Sequence, residues 1–343
     1  MFSPAPVPDR LRRALSLALS LALGGVLLWL ALRGADLAAV VRALADGRWG
    51  WMVPFVLVGL ASVAVRAWRW GVLIEALPEQ RSPVPLRLTA ASVSIGYLVN
   101  YAAPRVGELA RSANVARRAE ASFTGVLGTV VAERVLDVLG LALALASVAL
   151  FYGDRTGPLV DAVAEGVAGL AGAVPLWAAV LAGSVLAAAL AVGVRAVRRG
   201  GALGAAAGAF RDGLVSVATS GRPGTLLVST ALLWATYGAM ADLPFRLLGM
   251  DAAYGLGPAE AWAVMAVGGI GMAIPSPGGT GSFHYATVVA LTLLFAVPET
   301  PAATYAILVH ATGVVFYCGL GALATATQGT SLRAVTADVP PAP

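Results

Sequence analysis

Ser94–Asp137 reads SIGYLVNYAAPRVGELARSANVARRAEASFTGVLGTVVAERVLD, and its charges sit where a membrane segment would not tolerate them idly. Asn100, Arg105, Glu108 and Arg111 follow directly on an apolar run, and Glu133, Arg134 and Asp137 lie inside the next one. The chain is 59% hydrophobic and only 12% charged, with several apolar runs of about 20 residues, enough for a helix to cross a bilayer. Ionisable residues inside such runs are costly, and they usually face one another or a polar cavity. The sequence therefore predicts an all-α polytopic membrane protein with half of a polar cavity in this stretch. No long period-two alternation of apolar and polar residues points to a β-barrel.

All 23 basic residues are arginine, and the net charge is +5. The arginines cluster at the ends of apolar runs, which is the positive-inside pattern of a membrane protein. Nucleic acid is not an expected partner. The single cysteine, Cys318, excludes an intramolecular disulfide, and two histidines are too few for an expected zinc or iron site. No cofactor is expected.

Outward from the opening stretch, the apolar run 14–32 follows Arg10, Arg12 and Arg13 and reads as a retained first span. The second span covers about 50–74, with Trp49, Trp51, Trp68 and Trp70 as interfacial belts and Arg66, Arg69, Arg81 and Arg87 marking a cytoplasmic loop. Residues 88–120 form a short segment broken near Pro104 that returns to the same side, a re-entrant hairpin. The third span is 123–152. Residues 153–174 read as an extracytoplasmic loop, 175–194 as the fourth span and 195–222 as a basic cytoplasmic stretch. Span five, 225–248, is interrupted by Asp242, Pro244 and Arg246. Residues 262–297 form a second broken hairpin around Pro275–Gly281, 303–326 the sixth span, and 331–343 a flexible tail.

Each half thus reads span, span, broken short segment, span, with boundaries at 1–152 and 175–330. Three full spans in the first half turn the second copy upside down, as in transporters built from inverted repeats. Both termini are expected in the cytoplasm.

Glu133 and Asp137 are four residues apart and Arg134 and Asp137 three, so all lie on one arc of a helix. They form either a purely structural network or a cavity site for a charged head group or a proton. Arg105 and Arg111 suit phosphate, because a planar guanidinium donates paired hydrogen bonds, but juxtamembrane arginines also fix orientation. Pro277, Gly278, Gly279 and Gly281 allow sharp turning, and their amides before a helix near Ser282 can form an anion nest. His284 stands just beyond. No nucleophile elbow, Cys–His pair or metalloprotease motif is present, so the chain is not expected to be an enzyme.

NYAAPRVGELAR (100–111), AERVLDVLGLALA (132–144) and AIPSPGGTGSFHYATVVAL (273–291) resemble three signatures of the lysylphosphatidylglycerol synthase transmembrane-region family of flippase-like membrane proteins. The resemblance implies a stand-alone lipid-translocation core in a bacterial or archaeal inner membrane. Asn100, Pro104, Arg105, Gly107, Glu108, Arg111, Glu133, Arg134 and Asp137 match the first two signatures, and Pro275, Pro277, Gly278, Gly279 and Gly281 the third. Phe283 and His284 stand where the family usually has an acidic residue. The implied partner is a phosphate-bearing lipid head group, with homo-oligomers possible. Two rival functions stay open: an intramembrane transferase on a lipid-linked substrate, and a non-transporting assembly protein of the envelope.

Overall fold

A computed structural model describes residues 9–80, 82–102, 106–158, 215–274 and 276–329, together with 161, 208, 211 and 212. The expected fourth span, Arg105, most of the 153–174 loop and the 331–343 tail lie outside the described residues. The described residues carry no strand. Their principal helices are α1 (Asp9–Leu32), α2 (Leu37–Ala45), α3 (Met52–Glu75), α4 (Leu86–Ala102), α5 (Val106–Ala119), α6 (Phe123–Phe151), α7 (Pro223–Leu247), α8 (Pro258–Ala273), α9 (Ser282–Phe295) and α10 (Glu299–Thr327). The helices α3 (with the turn before it), α6, α7 and α10 are each long and apolar enough to cross a membrane, and α1 with α2 makes a fifth candidate bent by 81°.

Helix boundaries follow local chemistry. Asp36 caps α2 by accepting from the Ala38 and Ala39 amides, and Ser122 caps α6 through the Gly125 amide. Ile274 precedes Pro275 and is extended (ψ 133°), so α8 stops one residue earlier. Pro244 does not end α7. The helix runs through it to Leu247, and the Tyr305 hydroxyl donates to the Ala241 carbonyl in the loosened turn, at 2.7 Å.

Helix ends sort onto two faces. On one, Arg222 pairs with Glu75 at 2.8 Å, the Ser122 amide donates to Glu79, and Arg118 reaches the Gln328 carbonyl. On the other, the Arg48 amide donates to the Leu247 carbonyl, Tyr152 contacts Glu260 at 3.1 Å, and the Asp36 amide donates to Thr300. The α4–α5 hairpin opens on the first face and the α8–α9 hairpin on the second. At about 1.5 Å per residue, α4 and α8 are about 24–26 Å long, short of a ~30 Å hydrocarbon core.

Many of the helix contacts among the described residues come in pairs. Helix α3 packs on α4 as α7 packs on α8; α5 on α6 as α9 on α10; α3 on α6 as α7 on α10. The first arm of each hairpin crosses to the last helix of the other half, α4 to α10 and α8 to α6, and α3 meets α7 between them. Inside each hairpin a glycine removes the obstacle to close approach. A Cβ on Gly107 would lie 2.0 Å from the Gly96 carbonyl oxygen, and one on Gly271 would lie 2.5 Å from that of Ser282.

Two expectations about the second span fail. Arg66 and Arg69 do not mark a loop: α3 continues nine residues past Arg66 to Glu75, and both side chains are buried. Trp70 is not part of an interfacial belt. It is fully buried, and its indole N–H donates to Thr129 at 3.0 Å. The hydropathy dip at the two arginines resembles a helix end, although Val72, Leu73 and Ile74 beyond it pack into the interior.

Candidate functional site

Two of the three signatures and the two misread arginines converge on one buried charge cluster. Glu133 of α6 is inaccessible and is met by three guanidiniums: Arg66 by its Nη1, Arg69 at 3.5 Å, both from α3, and Arg111 of α5 at 2.9 Å. Asp137, one helical turn on, pairs with Arg66 at 3.1 Å and with Arg69. The helix α7 closes the cluster, with the Tyr237 hydroxyl 2.6 Å from Arg66 and Thr230 3.3 Å from Arg69. Arg111 stacks over the Trp70 ring at 4.6 Å, a cation–π contact away from water.

The local sequence explains this meeting. Arg66 and Arg69 are three apart on α3, and Glu133 and Asp137 four apart on α6, so each pair presents one face. The α3–α4–α5–α6 chain leaves and returns on one side, so α3 and α6 run antiparallel with Arg66 nine residues and Glu133 ten residues from that side. That places the cluster about 14–15 Å deep, near the middle of a ~30 Å core.

Arg134 points the other way. Its side chain is 44% exposed, and it joins Glu108 at 2.8 Å and Asp137 at 3.4 Å. Asn100 holds the hairpin arms together by accepting the Gly107 amide at 2.8 Å. Around these residues lies a small pocket bounded by Arg66, Gly96, Asn100, Glu108, Arg111 and Arg134, with room for about one water molecule. Three buried atoms of its wall have no hydrogen-bond partner: Arg66 Nε, Arg111 Nη2 and Glu108 Oε2. Four arginines face three carboxylates here, leaving one positive charge in excess. The cluster can hold four helices in register, and its surplus charge attracts an anion.

Of the expected site residues, Asn100, Glu108, Arg111, Glu133, Arg134 and Asp137 come together. Pro277, Gly278, Gly279, Gly281 and His284 form a separate centre at the tip of the second hairpin. There Gly278, Gly279 and Gly281 take left-handed φ of 58°, 76° and 87°, which glycine adopts without strain. The tip touches the first hairpin, since a Cβ on Gly278 would lie 2.7 Å from the Tyr101 ring. It also touches α1, where a Cβ on Gly281 would lie 1.9 Å from the Gly24 carbonyl oxygen. His284 is buried and faces Gly281 and His310. Among the described residues no group of three or more metal-ligating side chains occurs.

Sequence reasoning missed Arg66, Arg69, Tyr237 and Thr230 as members of the cluster. A signal for the first two existed: arginines three apart with a further apolar turn beyond them match carboxylates four apart in the next long helix. Nothing in the sequence singled out Tyr237 or Thr230.

No curated protein and no solved structure matches the chain significantly. The model of one family, the lysylphosphatidylglycerol synthase TM region, matches residues 16–321 and so takes in both hairpins, the charge cluster and all or most of each long helix. The chain belongs to the lysylphosphatidylglycerol synthase transmembrane-region family, a family of membrane proteins tied to lipid function.

Proposed function

We propose that this protein is a lipid transporter, not an enzyme, and that it carries a lipid with a phosphate-bearing head group past the buried cluster while the acyl tails stay in the bilayer. The observation that carries the reading is the surplus positive charge of the cluster, with three unpartnered guanidinium nitrogens (Arg66 Nε, Arg69 Nε and Arg111 Nη2), halfway through the hydrocarbon core. A purely structural network in lipid would be expected to close its charge and its hydrogen bonds. The paired helix contacts and the two hairpins from opposite faces support an inverted-repeat architecture, in which such interrupted segments meet at the transport site. The first face carries Arg10, Arg12 and Arg13 at the start of α1 with Arg87, Arg117, Arg118 and Arg222, whereas the second carries Arg33, Arg42, Arg48, Arg155 and Arg246 among seven carboxylates (Asp36, Asp46, Asp154, Asp242, Asp251, Glu260 and Glu299), so the more basic first face is the cytoplasmic one in this reading, in the inner membrane of a prokaryote. The head group enters past exposed Arg134 and half-buried Glu108, and the buried trio of Arg66, Arg69 and Arg111 sets the potential that draws it.

The test uses the full chain in phosphatidylglycerol-rich vesicles carrying either a fluorescent phosphatidylglycerol or a fluorescent phosphatidylethanolamine, with dithionite quenching as the readout of transbilayer movement. Wild-type protein speeds the movement of the phosphatidylglycerol probe. Arg134→Gln lowers that rate at least tenfold, on the scale of one charge-assisted contact, with unchanged elution and melting. Wild-type rates in both Arg134→Gln and Arg134→Gln with Glu108→Gln overturn the assignment.

A further inference from the structure

The tip of the second hairpin carries a histidine pair that the transport reading does not use. Gly281 caps α9, and its N–H donates to Nδ1 of His284, the third residue of that helix, at 3.4 Å. The His284 ring lies 4.7 Å from that of His310 on α10, and His310 Nε2 is 3.3 Å from the hydroxyl of Thr280, the residue before the cap. Both histidines therefore hold neighbouring residues of one turn. The groups facing them from surrounding elements are few. Phe283 of α9 lies against both rings, and Tyr101 of α4 reaches the turn at Gly278. The contacts of α1 and α8 with the turn run through Gly24 and through Gly271 and Met272. No carboxylate or guanidinium among the described residues is ion-paired to either ring.

We infer that His284 and His310 form a proton-binding latch that fixes the second hairpin tip against α1 and α4 when both are neutral and frees it when one proton is bound. An acceptor Nδ1 is an unprotonated one, so a proton there abolishes the Gly281 contact. It also places a cation at the N-terminus of a 14-residue helix, where the aligned peptide dipoles already present positive charge. The second histidine, with its ring 4.7 Å away, disfavours a second proton on the pair, so the switch takes one. The proton comes from solvent by way of His310, which is half-buried where His284 is buried. The tip is poised to respond. The Gly279 and Thr280 amides and the Ser276–Ser282 hydroxyl pair close the turn upon itself, so its hold on the rest of the protein lies in the two histidines and in Gly281 lying hard against the Gly24 carbonyl. The switch concerns the turn's conformation and holds whether or not the lipid reading does.

The whole chain contains only these two histidines, so 15N-histidine labelling of the full protein in nanodiscs yields two residues' signals, assigned with the His310→Gln variant. At neutral pH the His284 Nδ1 signal is that of an unprotonated nitrogen. On acidification one proton binds to the pair, and amide exchange at Gly278, Gly279 and Gly281, corrected for intrinsic rates, rises roughly five- to tenfold, one hydrogen bond's worth. His284→Asn retains an acceptor near the Nδ1 position without titrating, so it abolishes the pH step and keeps the tip protected. The inference is overturned by an Nδ1–H tautomer at neutral pH, by two independent protonations with unchanged exchange, or by a pH step that survives in His284→Asn.

Discussion

Glu133 is the strongest point of attack on the buried cluster, and its substitution has a calculable cost. Three guanidiniums converge on its carboxylate, and the three do not lose equally when it goes. Arg66 and Arg69 keep Asp137, whereas Arg111, 3% exposed, keeps only the Trp70 ring. Glu133→Gln therefore strands one buried cation and weakens two more. Removing one partner of a buried ion pair costs about 3–5 kcal/mol. Against a total stability of about 5–15 kcal/mol that is a large share, so melting of the purified protein in detergent falls by on the order of 10 °C. Tryptophan fluorescence reports the transition, since Trp70 stands within the cluster. The control is the double variant Glu133→Gln with Arg111→Met, which removes the stranded cation and fills its space. It recovers at least half of the loss, because the two sites are coupled. A Glu133→Gln protein that melts within about 2 °C of wild type shows that Arg111 does not depend on this carboxylate, and the account of the cluster falls. For the same reason Glu133 is a poor probe of transport: its loss weakens the scaffold as well as any pathway through it.

Gly107→Ala places a methyl 2.0 Å from the Gly96 carbonyl, a backbone atom that cannot swing aside, so it pries the first hairpin apart and lowers the melting temperature, whereas Gly25→Ala, with nothing within 4 Å, leaves it unchanged. Equal melting of the two variants contradicts the close packing of α4 on α5. Arg222→Gln breaks an ion pair whose arginine is 57% exposed, and its melting changes by no more than the few degrees that ~1 kcal/mol supports. A drop as large as that of Glu133→Gln means that Arg222 is more deeply buried than this.

Much of the fold is legible from length and hydropathy alone, because a run of apolar residues longer than the bilayer is thick has few other fates. Both hairpins are legible for a different reason. A proline disfavours helical geometry in the residue before it, so Pro104 and Pro275 signal breaks in the sequence, and apolar arms too short to cross leave a turn that must be satisfied inside the protein. The depth of Arg66 and Arg69 is not legible in the same way. A window average falls at any arginine, so a charge in the middle of a helix and a charge at its end look alike until the following residues are weighed. Gly71–Ile74 supply that weight, yet only tertiary contact with Glu133 and Asp137 shows that the arginines are paired and not solvated. The roles of Tyr237 and Thr230 depend wholly on the packing of α7 against α3, which no local pattern encodes.

The paired contacts of the two halves do not extend to their chemistry. Among the described residues, the mid-depth ion pairs are confined to α3, α5 and α6 of the first half, and α7 contributes only neutral hydroxyls to them. Among the described residues, the ionisable groups at the second hairpin tip are His284 and His310, with Tyr285 beside His284 and the Tyr101 ring against Gly278. On the two proposals, a frame of paired helix contacts presents a fixed positive field on one side and a proton-dependent turn on the other. Fixed charge attracts an anion in both conformations of a carrier and so cannot by itself favour one over the other, because a ligand or field with equal preference for two states shifts neither. A group that binds a proton in one conformation and loses it in the other can. The two centres touch through Tyr101, which belongs to the hairpin of the charge cluster and lies against Gly278 of the histidine-held turn. In the proposed carrier, that contact supports a division of labour between the halves: the first half attracts the anion, and the protonation of the second half's histidine pair sets when the tip moves.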